Sequence, residues 1–240
     1  MKKKNKISIC LLVIMGVFLM FTNSCKKDGD KDDTPIIPDP IPTTVTDIDG
    51  NVYNTVTIGT QVWMKENLKV THYRNGNELP NVIDSIAWST LTTGAYCSYD
   101  NNTINANSYG YLYNWYAVSD SQNIAPTGWH VPSDDEWTTL IEYLGGSDVA
   151  GGKMKVIGTN YWVDPNTGAT NESGFTALPG GYRYSLDGMC YLLGKGGYWW
   201  SSTTADASDA WLSSVIYNNT HSPQYYYNKR HGYSIRCVRD

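Results

Sequence analysis

"GWHVPSDDEW", residues Gly128 to Trp137, places one histidine ahead of three carboxylates, all between two tryptophans. Such a set serves either as a metal or acid–base site or as the entrance to a helix. The residues that follow decide between them. Trp137, Leu140, Ile141 and Leu144 recur at spacings of 3, 1 and 3 before Gly145-Gly146, the pattern of an amphipathic helix with a glycine stop. Ser133 at the N-cap and Glu136 three residues on make a capping box, each side chain satisfying an orphan N–H. Asp134 and Asp135 then fall in the first turn, where carboxylates favour the positive end of the helix dipole. All three carboxylates thus have structural work. His130 precedes the cap, and no second His, Cys or carboxylate at fixed spacing completes a metal set. The decapeptide predicts a helix entrance, with no metal and no cofactor.

Outward from this helix the pattern turns to strands. "VTDIDGNVYNTVTIGTQVWMKENL" alternates Val52, Asn54, Val56 and Ile58 with their neighbours and is punctuated by Asp49-Gly50 and Gly59, which predicts a β-meander with tight turns. "GYLYNWYAVSD", Gly110 to Asp120, fits a short helix burying Leu112, Trp115 and Tyr116, although a strand fits there too. "GYWWSST", "DAWLSSVIYNN" and "YYYNKRHGYSIRCVRD" are aromatic or β-branched runs separated by Asp, Asn, Ser and Gly. Period two puts Tyr225 and Tyr227 on one face with Tyr226 on the other, and Trp199 opposite Trp200. In the last strand it sorts Tyr233, Ile235 and Cys237 inward, against Ser234, Arg236 and Val238. The fold class expected is α+β: irregular antiparallel sheets, about two helices and long loops.

The N-terminus reads as an address label. Lys2, Lys3, Lys4 and Lys6 precede the apolar stretch Ile7 to Phe21, too short for the roughly 20 residues of a spanning helix but laid out as a secretory signal peptide. Cys25, directly after it, resembles the lipidation site of bacterial lipoproteins. "KKDGDKDDTPIIPDPIPTT", Lys26 to Thr44, has no apolar periodicity and is rich in proline and charge, so it is expected to be an extended tether. About 19 residues at about 3 Å each reach at most about 60 Å. The expected organisation is a signal peptide at 1–24, a lipidated Cys25 with its tether at 25–44, and one domain at 45–240. The Lys-Asp cluster after Cys25 resembles the export signals of Bacteroidetes surface lipoproteins, so the expected place is the outer membrane, lipid-anchored and facing outward.

Removing Met1 to Ser24 takes away four Lys and no acid, leaving 14 basic and 23 acidic residues and a net charge of −9. A nucleic-acid partner is not expected from that balance. Charged residues are 17% of the chain, against roughly 25% in average domains. Asn, Ser, Thr and Tyr supply the polar surface instead. Nine Trp and nineteen Tyr all lie beyond the signal peptide. Their apolar bodies and polar tips suit half-buried, hydrogen-bonding sites for neutral polar ligands such as glycans.

"GNVYNTVTIGTQVWMKENL", "YCSYDNN", "YGYLYNWYAV", "PTGWHVPSDDEW", "GFTALPGGYR", "WWSST" and "GYSIRCVRD", in this order, resemble the Fibrobacter succinogenes major paralogous domain family. The resemblance covers roughly Thr46 to Asp240. It implies a cell-surface or secreted lipoprotein whose fold is similar to C-type lectin-like and formylglycine-generating-enzyme-like domains. The chemistry of those relatives does not carry over. No E-P-N, Q-P-D or W-N-D run supplies the oxygens a lectin Ca²⁺ needs, and no two cysteines are spaced as a redox pair. There is no G-x-S-x-G elbow, and "GSDVAGGKMK" lacks the Ser or Thr that follows the P-loop lysine.

The chain is therefore expected to be a non-catalytic lectin-like module for glycans or adhesion. A polysaccharide-acting enzyme on the same fold, or a structural envelope protein, are the alternatives. Beyond Cys25 three thiols remain, Cys97, Cys190 and Cys237, with one bridge possible among them. Cys97 and Cys237 both lie in family-like runs, so their pairing is the expected one, with Cys97–Cys190 and Cys190–Cys237 as the other options. In lectin-like folds ligands sit on long irregular connections, here Gly180 to Gly197 and Tyr217 to Arg230. Tyr182, Tyr225 and Tyr227 are the expected stacking residues, and Arg183 the expected hydrogen-bond donor.

Overall fold

The meander forms as β1 (Thr44–Thr46), β2 (Val52–Ile58) and β3 (Gln61–Met64), each antiparallel to the next. The computed structural model describes residues 42–240. The expected signal peptide, Cys25 and nearly all of the expected tether lie outside them. The described residues form one compact unit. Within β2 the buried residues are Tyr53 and Ile58, while Val52 is exposed. Tyr53 is fully buried and donates its hydroxyl to Asp47 Oδ2 at 2.6 Å while accepting the Lys69 N–H at 2.9 Å. A buried phenol with both hydrogen-bonding roles filled is favourable here, where an aliphatic side chain would leave the Lys69 N–H without this acceptor and remove one of the donors to Asp47.

Five α-helices follow rather than two: α1 (Ser85–Ser89), α2 (Thr103–Tyr109), α3 (Trp115–Val118), α4 (Asp134–Tyr143) and α5 (Ser147–Met154). The first three are single turns or little more, begun by the side chains of Asp84, Asn102 and Asn114. They are too short to show a 3.6-residue period, and α5 buries Gly151 and Gly152 in place of larger apolar residues, so α4 alone carries a full apolar stripe in the sequence. The stretch from Gly110 to Asp120, which fits either a helix or a strand, contains one of each. Asn114, at the break, accepts the N–H groups of Ala117 and Ala95 at 3.1 and 3.0 Å. Before it, Leu112–Tyr113 (β5) pairs with Tyr96–Cys97 (β4) as a small hairpin.

At α4 both halves of the capping box are present, with Glu136 Oε2 accepting the Ser133 N–H at 2.8 Å. Gly145 and Gly146, at φ +101° and +95°, end the helix. Its apolar face carries Trp137, Leu140 and Ile141 onto Trp63, Phe175, Trp199 and the buried side of α5. Trp63 and Trp137 lie 4.8 Å apart, Phe175 and Trp199 5.7 Å. Full burial of each such ring contributes ~2–3 kcal/mol, so this cluster anchors the helix to both sheets.

The C-terminal strand β12 (Val238–Arg239) is not an edge. It inserts between β3 and β6 (Trp129–His130), giving a five-stranded sheet in the order β1-β2-β3-β12-β6. A second sheet has β10 (Asp209–Ile216) between β9 (Gly196–Thr204) and β11 (Gln224–Asn228), and the hairpin of β7 (Tyr182–Arg183) with β8 (Cys190–Tyr191) stands alone. All these strand pairs are antiparallel.

Alternation holds for β9, where Trp199 enters the α4 cluster and Trp200 packs with Leu212 and Tyr233 on the other face. It fails for the final segment, because every residue from His231 to Val238 is buried. Arg236, expected outside, lies under the aromatic cluster 4.2 Å from the Phe175 ring. There its guanidinium donates to Asn67 Oδ1 and to the Phe175 carbonyl. A strand covered on both sides has no outward face to sort its residues.

Candidate functional site

Tyr182 and Arg183 are neighbours on β7, and the pleat sends them to opposite faces. Arg183 is only 1% exposed. Its guanidinium donates to the carbonyls of Gly188 (2.7 Å), Val82 (2.6 Å) and Ile83 (3.0 Å) and lies 4.5 Å from the Trp88 ring. All three nitrogens have protein partners, so Arg183 is a fastening residue and not the ligand donor expected of it. Tyr182 turns the other way, into a cluster of aromatic rings.

That cluster surrounds a cavity of about 400 Å³. Tyr182 and Tyr184 come from the β7 hairpin, Tyr198 from β9, Tyr227 from β11, and His231 and Tyr233 from the turn and segment beyond. Tyr198 stacks on Tyr233 at 5.7 Å, and Tyr182 meets Tyr198 edge-on at 5.3 Å. Trp200 supports Tyr233 from beneath at 4.6 Å and is itself fixed by its indole N–H to the Tyr113 carbonyl. A second cavity of about 270 Å³ shares Tyr198 and Tyr227 with the first and adds Ser214, Asn219, His221 and Tyr225. Together the two form one groove. It spans the three-stranded sheet at its β11 edge, in the size range of small-molecule sites, ~300–1,000 Å³.

The tyrosine triplet lies as alternation predicts. Tyr225 and Tyr227 are alike, 49% and 47% exposed and 6.4 Å apart, while Tyr226 packs on Trp211 on the other face. Even Tyr226 stays exposed, because β11 is the edge strand and no described strand pairs beyond it. Both irregular segments marked from sequence contribute to the groove. Sequence reasoning missed Tyr198, His231 and Tyr233.

His231 reaches the groove through a close backbone contact. Gly232 and Arg183 exchange N–H···O bonds at 2.9 Å. A Cβ on Gly232 would stand 2.9 Å from the Arg183 side chain and from Trp88, so only glycine lets this turn lie against β7. Lys229, donating to the carbonyls of Asp206 and Ala207, holds the turn from the other end. His231 Nδ1 sits 3.1 Å from the Asn228 carbonyl. A carbonyl only accepts, so Nδ1 carries the proton and Nε2 keeps its lone pair. Burial pushes this imidazole down to about 4, overcoming the opposing hydrogen bond to Asn228. It is therefore neutral near pH 7.

Burial likewise raises Tyr182, Tyr198 and Tyr233 above the usual phenol range, with neighbouring tyrosines adding to it. These hydroxyls remain protonated, able both to donate and to accept. No Asp, Glu, Lys or Arg lines either cavity. The groove offers ring faces, hydroxyls, an amide and the imidazoles of His221 and His231, the latter neutral.

The other expected site residues lie elsewhere. His130 bridges two carboxylates, Nε2 to Glu136 Oε1 at 2.8 Å and Nδ1 to Asp240 Oδ1 at 2.6 Å, and so ties the helix entrance to the last residue. Burial lowers its pKa, but the hydrogen bonds and charges of Asp240 and Glu136 win and raise it. Among the described residues no group of three or more His, Cys, Asp or Glu is arranged to hold a metal ion. The expected Cys97–Cys237 bridge is not formed. Both are free and belong to different apolar clusters, and Cys97 meets Cys190 instead. Cys25 lies outside the described residues.

A family model described as the Fibrobacter succinogenes major domain matches residues 56–239. No curated protein and no solved structure matches the chain.

Proposed function

The chain belongs to the Fibrobacter succinogenes major domain family, and we propose that it is a non-catalytic binding module for neutral carbohydrate, held in the groove between Tyr182 and Tyr225. One observation carries this reading: the groove is walled by tyrosines and lined by no Asp, Glu, Lys or Arg. Tyrosine faces stack on the apolar faces of sugar rings, and their hydroxyls match a ring of alternating donors and acceptors. An anionic or cationic ligand would find no ammonium, guanidinium or carboxylate partner in that lining and would bear much of its desolvation cost. Two-carboxylate hydrolysis needs a pair of Asp or Glu side chains flanking the bond, and the lining supplies neither, which supports binding over turnover.

The wider reading is a C-type lectin-like domain on a lipid-anchored, outward-facing outer-membrane protein, with Cys25 acylated and residues 25–44 as its tether. The shortage of charge and the abundance of tyrosine support an outward-facing surface of this kind. A glycan array probed with the purified protein, followed by calorimetry with and without chelator, tests the binding; the expected result is chelator-insensitive binding of a neutral glycan. Product formation from a bound polysaccharide would overturn the non-catalytic reading. For the anchor, Cys25→Ala is expected to release the protein from membranes or leave an unprocessed precursor, and unchanged membrane partitioning of the variant would defeat it.

A further inference from the structure

Cys97 and Cys190 come from separate hairpins and meet behind the β7 strand. Cys97 lies opposite Leu112 in the β4–β5 pair, and Cys190 opposite Arg183 in the β7–β8 pair. Trp88, Ala95, Tyr99 and Leu112 enclose Cys97, and Cys190 packs on the same cluster. The two sulfurs are close enough to share a hydrogen bond, and the fastened guanidinium of Arg183 stands beside both. Their exposure differs. Cys97 is fully buried, whereas Cys190 is half-buried and lines a cavity of about 340 Å³ that opens between Asp84, Asp100, Asn101 and Met189. Cys190 Sγ also accepts the Asp100 N–H at 3.3 Å.

We propose that Cys97 and Cys190 are a dithiol–disulfide pair, in which Cys190 is the attacking thiol and Cys97 the resolving one. The arrangement supplies what each role requires: an accessible sulfur stabilised as thiolate, and a shielded sulfur directly behind it. The hydrogen bond from Cys97 holds the Cys190 thiol below its usual range despite partial burial, with the Asp100 N–H and Arg183 assisting. Burial first, and then Cys190, push Cys97 well above it.

The oxidant is a small-molecule disulfide, R–S–S–R. Cys190 thiolate attacks one of its sulfurs, forming a Cys190–S–S–R bond and expelling one RS⁻. Cys97 then loses its proton and attacks Cys190 Sγ, forming the Cys97–Cys190 bond and expelling the second RS⁻. Two electrons pass to the oxidant, and the two thiol protons end on two molecules of RSH. The new bond would fasten the β7–β8 hairpin, which presents Tyr182 to the groove on its other face, to the β4–β5 hairpin. The pairing stands independently of any ligand in that groove.

The test uses the full chain treated with oxidised glutathione, then blocked with N-ethylmaleimide in denaturant and digested without reduction. The expected result is a Cys97–Cys190 linked peptide two hydrogens lighter than its parts, with Cys237 alkylated as a free thiol. In Cys190→Ser, Cys97 is expected to stay unmodified under the same treatment. Separate glutathione adducts on both residues, no reaction at either, or a Cys97–Cys237 linkage in the wild-type chain would each overturn the proposal. So would equal oxidation of Cys97 in Cys190→Ser.

Discussion

Truncating Tyr182 and Arg183 one at a time should separate affinity from stability across a single peptide bond. Arg183→Ala removes three hydrogen bonds from a charged group to carbonyls and the stacking of a guanidinium on Trp88. A charged hydrogen bond contributes ~1.5–3 kcal/mol and a carbonyl left unpaired in the interior costs ~1–3 kcal/mol. Ile83 and Gly188 border the cavity beside Cys190, so water regains part of that loss, and these contributions do not add fully. A net destabilisation of ~3–5 kcal/mol follows, equivalent to a fall in Tm of ~6–20 °C at ~2–4 °C per kcal/mol.

Arg183→Lys should recover little, because one ammonium cannot reproduce the planar fork. Tyr182→Ala strips a half-buried ring from the groove wall and should cost ~2 kcal/mol or less, while glycan affinity falls at least about tenfold, ~1.4 kcal/mol. Calorimetric unfolding and ligand titration of both variants decide it. If Arg183→Ala unfolds within ~1 kcal/mol of wild type yet abolishes binding, the assignment of the two faces is wrong.

Three further outcomes are expected. Because the folded pKa of His130 is raised from its ordinary 6.5, its contribution to stability is fully present below that value and fades as pH rises through the folded one. Its partial exposure limits the effect to ~1 kcal/mol or less, and His130→Gln should remove that slope from a pH series of urea unfolding curves. Ser133→Ala should cost ~1 kcal/mol through the lost cap, whereas Asp135→Asn should change stability by a few tenths of a kcal/mol, about the size of the dipole interaction. Loss of a measured activity in Asp135→Asn at unchanged stability would reopen the acid–base reading of the helix entrance. Gly151→Ala sets about 1 kcal/mol of gained helix propensity against a Cβ placed 2.1 Å from the His221 carbonyl oxygen. Backbone cannot yield as a flexible side chain can, so net destabilisation of ~1–3 kcal/mol is expected, and a Tm at or above wild type would contradict it.

The helix entrance was legible because its signals are local: a cap, its reciprocal glutamate and four apolar residues on one face all lie within a short stretch. The groove was legible in part for the same reason. Tyr225 and Tyr227 declare a shared face through alternation alone. The same rule applied to β7 would have parted Arg183 from Tyr182, and treating the two as one ligand patch overlooked it. Tyr198, His231 and Tyr233 carry no local mark. They join the site because Gly232 lets a distant turn lie against β7 and because β9 crosses between two clusters, both of which are properties of tertiary packing. Arg236 was hidden differently, since a segment buried on all sides gives period two nothing to sort. The pairing of Cys97 with Cys190 depends on how the β7–β8 hairpin folds back, which spacing along the chain does not express.

The most direct test of a carbohydrate-binding groove is titration of Tyr227→Ala, in chelator, with a neutral glycan selected by array on the wild-type chain. Tyr227 belongs to both cavities and is half exposed, so its loss should disturb ligand far more than fold. Affinity is expected to fall at least about tenfold with unfolding free energy within ~1 kcal/mol of wild type. Unchanged affinity in this variant, or an array on which the wild-type protein binds no neutral glycan, would contradict the assignment of the groove.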